Sequence, residues 1–593
     1  MHKAISERVQ QLRQWLVQHD FDAIIIPHED EFLGEYIPAH NERLHWITGF
    51  AGSAGAAVIT QDSAAMFVDG RYTVQVTKQV PGELFSYHHF IQEPPITWLQ
   101  QNMPAGSRLA IDPKMHSATW YQAAQNKLDG QIEMIDVESN PIDMLWSDRP
   151  QTVESPLRLM PLDIVGQPSQ DKRNHIAQLI SQQNADAALL TQIDSICWLL
   201  NIRGLDVPRL PAVLCHAILH ADSSLELFIN PERIPSEFGQ HVGKGVTISS
   251  PSQLEASLSS LAGKKVIVDP NSSNAWFSQV LQSNHAHIIA SNDPCLLPKA
   301  VKNKTESQGM INCHVRDGVA MAKFLCWIDS EVEADRLHDE DTLSNQLHDF
   351  RKQDESLADL SFDTISAAGS NAAMCHYNHA DQIEFGKLEL NSLYLVDSGG
   401  QYPDGTTDIT RTVAIGEPST FMKQQFTLVL KGHIALATAR FPVGTTGSQL
   451  DVLARQYLWA EGYNYDHGTG HGVGHFLSVH EGPQRISPAY NGVALQAGMV
   501  LSNEPGYYRA NEFGIRIENL ELVTEKQTQG DLSILGFESL TRCPIDVRAI
   551  ERNLLTTGEI DWLNQYHQKV WNDVSPFVDD EVKEWLKQAT LAI

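Results

Sequence analysis

Five residues between positions 397 and 518 have the types and spacing of metal ligands: Asp397, Asp408, His471, Glu504 and Glu518. They interrupt apolar, strand-like runs, reading LYLVDSGG, GTTDITRTV, GTGHGVGH, MVLSNEPGYY and IRIENLELV. A carboxylate inside a hydrophobic strand is costly unless something pairs with it. Four carboxylates and a histidine in one segment therefore predict a site where cations supply the missing charge. Two hard divalent ions, held by oxygens and one imidazole, have that character.

The elements that carry these residues follow from the local pattern. Asp397 ends the run LYLV, and Asp408 opens ITRTV after the turn-rich SGGQYPDGTT. A turn between two strands brings both aspartates to one point. Asp404, inside that turn, reads as a turn-forming residue. Glu504 closes the strand MVLSN, and Pro505-Gly506 turns the chain at once. Along IRIENLELV, alternation puts Arg516, Glu518 and Leu520 on one face. Arg516 is then either the ion-pair partner of Glu518 or, if Glu518 binds metal, a wall of the substrate pocket. The glycines of DHGTGHGVGH forbid a regular helix, so His467, His471 and His475 are no helical zinc pair. There is no HExxH motif, and GTGHGVG lacks the Lys-Ser/Thr of a phosphate loop.

Around the site, SQGMINCHVRDGVAMAKFLCWI reads as a long amphipathic helix with Met310, Ile311, Val315, Val319, Phe324 and Leu325 near one face. Further helices are expected near 342–352, 419–440, 447–461 and at the C-terminal end, with strands between. Helices and antiparallel-looking strands segregate, which gives an α+β domain. The first 300 residues differ. A helix over 5–19, with Val9, Leu12, Trp15 and Leu16 at helical spacing, leads into the strand DAIIIP and then AGAAVIT and AAMFVDGRY, an α/β pattern. Asp69-Gly70-Arg71 reads as a hairpin turn. The order recurs: HIAQLISQQNADAALL echoes RVQQLRQWLVQHDFDAIII, and SICWLLNIRG echoes ERLHWITGFAG, so two copies of one α/β unit are expected. Proline-punctuated stretches at 148–169 and 292–306 set the expected domains at 1–155, 156–303 and 304–593.

The 593 residues are too many for one hydrophobic core. The formal net charge of −30 argues against nucleic acid and anionic membranes as partners. Seven scattered cysteines without a CxxC read as reduced thiols in a cytoplasm. The amphipathic start MHKAISERVQQLRQWL is no signal peptide, and no run reaches the roughly 20 apolar residues of a membrane span.

The order Asp, Asp, His, Glu, Glu, set in VDSGGQYPDGTTDITRT, HGTGHGVGHFLSVHEGP, NEPGYY and GIRIEN, resembles the pita-bread metallopeptidases. FAGSAGAAVIT, FVDGRY and WLLNIRGLDVPRLPAV extend the resemblance to the long, three-domain Xaa-Pro aminopeptidases of that family. It implies two creatinase-like N-terminal α/β domains followed by a C-terminal pita-bread catalytic domain. It implies that Asp397, Asp408, His471, Glu504 and Glu518 bind two divalent ions, with Asp408 and Glu518 bridging. Manganese is the usual metal, with zinc and cobalt as alternatives. His376 in MCHYNH and His480 in SVHEGP match the family's catalytic histidines, and His467, Tyr508 and Arg516 match the lining of its proline pocket. HYNHAD lacks the proline usual after the His-Tyr pair. A hydroxide held between two metals would attack the carbonyl before proline, with Glu504 moving the proton. The expected substrates are peptides with an Xaa-Pro N-terminus, and the expected assembly is a homodimer. The rival readings are a prolidase confined to Xaa-Pro dipeptides, a methionine aminopeptidase, and a non-catalytic pita-bread binding protein.

Overall fold

The computed structural model describes residues 2–382 and 384–593. The chain divides into two compact units, Met1–Met160 with Gln167–Leu296, and Pro161–Gly166 with Leu297–Ile593.

The first unit holds two six-stranded mixed sheets. In the first sheet the order is Ser86–His89, Ala64–Val68, Ala56–Thr60, Ala23–Pro27, Ser107–Ile111, Ile132–Asp136. In the second it is Val246–Ser249, Leu225–Phe228, His216–His220, Ala187–Leu190, Lys265–Val268, His287–Ala290. Read across either sheet, successive pairs run parallel, antiparallel, antiparallel, parallel, parallel. The echo in the sequence is thus two copies of one sheet. The helix His2–Gln18 buries Ile5, Val9, Leu12, Trp15 and Leu16, the stripe its spacing predicts. The hairpin expected at Asp69-Gly70-Arg71 does not form. The next strand runs parallel to Ala64–Val68, so the chain must cross over, and it does so through the helix Gln75–Gln79. Asp69 holds the turn by accepting from the Arg71 backbone N–H at 2.9 Å.

The second unit is built from antiparallel pairs, as its segregated pattern predicts. One six-stranded sheet runs Arg440–Pro442, Ile534–Ser539, Asn519–Lys526, Val500–Asn503, Gly470–Gly472, Glu481–Ile486. A three-stranded sheet joins Ile365–Ala368, Ser392–Ser398 and Ile409–Ile415, and Gly506–Arg509 pairs with Phe513–Arg516. The helices Thr420–Ala437 and Gly447–Ala460 pack closely, because Gly432 has no side chain. A Cβ there would meet the Ala454 carbonyl oxygen at 2.1 Å. Phe426, Val429, Ile434, Leu458, Ile515, Ile517, Leu563 and Val570 form the core beneath them.

The long helix spans Lys304–Glu333, and of the apolar face read from the sequence Met310, Phe324 and Leu325 are buried. Met310, Cys313, His314, Asp317, Met321, Phe324 and Ile328 are buried, while Ile311, Val315 and Val319 are only half-buried. The stripe includes a carboxylate because Asp317 finds a buried partner, Arg351, at 2.8 Å.

Candidate metal centre

Strand pairing brings the two aspartates together. Ser392–Ser398 and Ile409–Ile415 are antiparallel, with Asp397 opposite Thr410 and Ser398 opposite Ile409. Asp408, one residue before Ile409, therefore lies beside Asp397. The turn between them forms the small strands Gly400–Tyr402 and Gly405–Thr406. Asp404, at their tip, is more than a turn residue, since it pairs with Arg316. His471 lies in Gly470–Gly472, which is bonded on one side to Val500–Asn503, whose next residue is Glu504. That strand pairs in turn with Asn519–Lys526, whose preceding residue is Glu518.

The donor atoms converge. Those of Asp408, His471 and Glu518 all lie within 4.8 Å of one another. His471 Nε2 is 3.5 Å from Asp408 Oδ2 and 3.6 Å from Glu504 Oε1. Its Nδ1 lies 2.9 Å from the Gly472 carbonyl, so Nδ1 carries the hydrogen and Nε2 turns its lone pair toward the carboxylates. Asp397 stands behind Asp408 with Oδ2 accepting from Arg516 at 2.6 Å. Its Oδ1 is buried and has no hydrogen-bond partner among the described residues.

The electrostatics are those of a site short of positive charge. Burial, with Asp408 and Glu504 adding to it against the pull of Arg516, pushes the Asp397 carboxyl up to about 6. Burial raises Glu504 as well, with Asp408 adding and His471 and Arg516 opposing. Glu518 is pushed well above the carboxylate range by burial and by its three acidic neighbours. A lone pair aimed at carboxylates, an orphaned buried oxygen and four acids facing one arginine fit divalent cations, which would supply the missing charge.

Two groups that fix the ligands were not singled out from sequence. Thr410 donates to Glu518 Oε2 at 2.9 Å and accepts from Arg516 Nε at 3.0 Å. Ser502 donates to Glu504 Oε1 at 3.2 Å and accepts the His471 backbone N–H at 3.0 Å. Both sit in apolar strands, at positions that alternation alone would assign to ordinary sheet contacts.

Of the remaining expected residues, Arg516, Tyr508 and His467 form one hydrogen-bonded chain. Arg516 does not pair with Glu518; it bonds Asp397 and donates to Tyr508 Oη at 2.7 Å. Tyr508 Oη is 2.8 Å from His467 Nε2, and His467 Nδ1 is 2.6 Å from the Gly468 carbonyl. The imidazole hydrogen is thus on Nδ1, and Tyr508 donates to Nε2. Burial pushes the Tyr508 phenol up, which keeps that hydrogen in place. His467 is set by Arg455, which donates to its carbonyl at 2.6 Å. The His480 ring stands edge-on to His471, with centroids 4.4 Å apart. His376 lies in the turn after Gly369–Ala373, next to Cys375, which is near enough to Tyr508 to act on its phenol. That turn packs close to Phe513–Arg516, where a Cβ on Gly514 would meet the Ala372 carbonyl at 1.8 Å.

Exposure divides the set. Asp397, Asp408, Glu518 and Arg516 are buried, while His376, His467, His471, His480, Glu504 and Tyr508 are half-buried. A cavity of about 370 Å³ lined by Leu325, Ile328, Val413, Ile545 and Trp585 contains none of these residues.

Comparison with known proteins identifies the family. Residues 308–525 match the model of metallopeptidase family M24, and residues 533–593 match the C-terminal region of peptidase M24. Residues 8–145 and 148–306 each match a creatinase/prolidase N-terminal domain. The chain is 37% identical to a probable Xaa-Pro aminopeptidase P of Talaromyces marneffei, covering 99% of this chain and 92% of that one. It is 35% identical to aminopeptidase P1 of Arabidopsis thaliana over 99% of both. Its fold is similar to that of an X-prolyl aminopeptidase from Caenorhabditis elegans, with a TM-score of 0.94, 32% identity and all of both chains covered. That protein is described as a cytosolic enzyme with a di-nuclear active site.

Proposed function

Because the chain belongs to metallopeptidase family M24, we propose that it is a metal-dependent aminopeptidase that releases the N-terminal residue from peptides with proline in second position. The observation that carries this reading is the convergence of Asp397, Asp408, His471, Glu504 and Glu518 in a chain similar end to end to an X-prolyl aminopeptidase. These five residues would hold two divalent ions, manganese first among the candidates. When bound, the ions supply a nucleophile at neutral pH and polarise the scissile carbonyl.

The protein's own groups do the rest. The leaving nitrogen belongs to proline and carries no hydrogen in the peptide, so one must be delivered. Glu504 is half-buried and within reach of the ligand cluster, and its carboxylate takes the proton of the attacking water and passes it to that nitrogen. His376 donates to the developing oxyanion, and His480 holds the substrate backbone beside His471. His467 and Tyr508, locked to each other and to Arg516, form a stiff wall for the proline ring. The domain limits near 155 and 303, assembly as a homodimer and a cytoplasmic setting belong to the same proposal. The seven cysteines are free thiols, which supports a reducing compartment. Light scattering tests the dimer.

The deciding experiment is hydrolysis of Xaa-Pro-Yaa tripeptides with and without manganese, against Xaa-Ala-Yaa and Xaa-Pro controls. Release of the first residue from Xaa-Pro-Yaa alone is expected. Cleavage confined to Xaa-Pro dipeptides would make the protein a prolidase.

A further inference from the structure

Two lysines that enter the second unit ahead of its long helix take no part in the chemistry above, yet they are buried beside it. Lys299 and Lys302 each have side chains only 1% exposed. Both ammonium groups meet the carboxylate of Glu481, which is fully buried. Lys299 Nζ is 3.3 Å from Oε1, and Lys302 Nζ bonds Oε2. The charge of Glu306 also reaches Lys302, so two cations balance two anions. The segment is held at its backbone as well, with the Lys302 N–H donating to the Gly498 carbonyl at 2.9 Å.

Four buried charges are an expensive way to hold a fold, and apolar side chains of similar volume would serve as well or better. Their position gives them another use. Glu481 opens the strand Glu481–Ile486 and directly follows His480. Across the ladder it faces Gly472, where the register slips beside His471. The approach is close, since a Cβ on Gly472 would meet the Glu481 carbonyl at 2.5 Å. A carboxylate gripped through both oxygens leaves this residue one rotamer, and the backbone from which His480 projects is fixed with it.

We infer that Lys299, Lys302 and Glu481 form a clamp that positions His480 against His471, and that the lysines supply it from outside the 308–525 segment matching the catalytic family. The inference rests on the functional reading only for its catalytic consequence. The clamp itself is made by side chains that are not among the candidate ligands.

Two measurements on the full-length protein test it. In Glu481→Gln, amides of residues 477–486 in the metal-free chain exchange on the order of ten-fold faster than in the native sequence, with other regions unchanged. The variant's kcat/KM on Xaa-Pro-Yaa falls by about 10- to 100-fold. In a His480→Ala background the same substitution changes kcat/KM by less than about two-fold, because the residue it acts through is gone. Should Glu481→Gln fail to fold, Lys299→Met, which leaves the Lys302–Glu481 pair, replaces it in both measurements. Unchanged exchange in 477–486, or an equal fold-loss with and without His480, overturns the clamp. A native chain that cuts no Xaa-Pro peptide refutes the functional reading instead, and the exchange data then decide the clamp alone.

Discussion

Asp317 and Asp397 are both buried carboxylates that face an arginine, and they sit in opposite electrostatic states. Asp317 accepts from Arg351 at 2.8 and 3.1 Å and from Tyr402 at 2.9 Å, so both its oxygens are used. Burial pushes its carboxyl up, but Arg351 and Tyr402 outweigh that and hold it below the usual range. Asp397 has an arginine on one oxygen and, among the described residues, no hydrogen-bond partner on the other, with three further acids around it, and is pushed up to about 6. The same residue type in the same unit is saturated in one place and left wanting in the other. Saturation marks a group that holds the fold together. A deficit that the surrounding protein does not fill marks a place kept for something that binds.

Amide substitutions should separate the two most widely. Glu504→Gln is expected to cost on the order of 10³-fold in kcat/KM while the melting temperature measured in chelator holds, checked by peptide hydrolysis and calorimetry. Near-normal turnover in that variant would remove Glu504 from the chemistry. Asp317→Asn should do the reverse, losing about 3–5 kcal/mol of stability with kcat/KM per folded molecule preserved. Chelation comes next. It should silence the enzyme, and manganese should restore it. The melting temperature should fall by the equivalent of about 2.7 kcal/mol for each bound ion, relative to protein in metal at a hundred times its Kd. The stability penalty of Asp317→Asn should be the same with or without metal.

The smallest effect concerns a third kind of buried acid. Glu521 accepts from Ser539 at 2.8 and 2.9 Å, and among the described residues no salt bridge reaches it. Burial pushes it up to about 8. The folded chain keeps a proton there that the unfolded chain releases above about pH 4.5. Stability therefore falls as pH rises, by about 2 kcal/mol between about pH 6 and about pH 8. Glu521→Gln should flatten that slope in thermal melts. An unchanged slope would mean that Glu521 is already ionised.

What the sequence disclosed follows the same division. The five candidate ligands stand out because each breaks an apolar run, and a misplaced charge is visible without knowing its neighbours. The repeated sheet is legible because helix, dipeptide and strand recur in order. Saturated groups are hidden. Asp317 looks like a solvent-facing residue of an amphipathic helix until Arg351, 34 positions away, is seen against it. Glu481 and its lysines are about 180 positions apart, and Thr410 and Ser502 are plain strand residues until the register is known. The Asp69 turn failed as a hairpin because turn chemistry does not reveal whether the next strand returns or crosses over.

Arg516 joins the candidate pocket and the candidate centre through one rigid group, with one nitrogen on Asp397 and another on Tyr508. Anyone redesigning this protein to accept a different second residue will find the two properties coupled. Reshaping the wall at Tyr508 loosens the guanidinium, and with it the acid at the base of the ion cage. Selectivity and metal retention should therefore drift together under directed evolution, and variants that gain one without losing the other will need a replacement for this single fork.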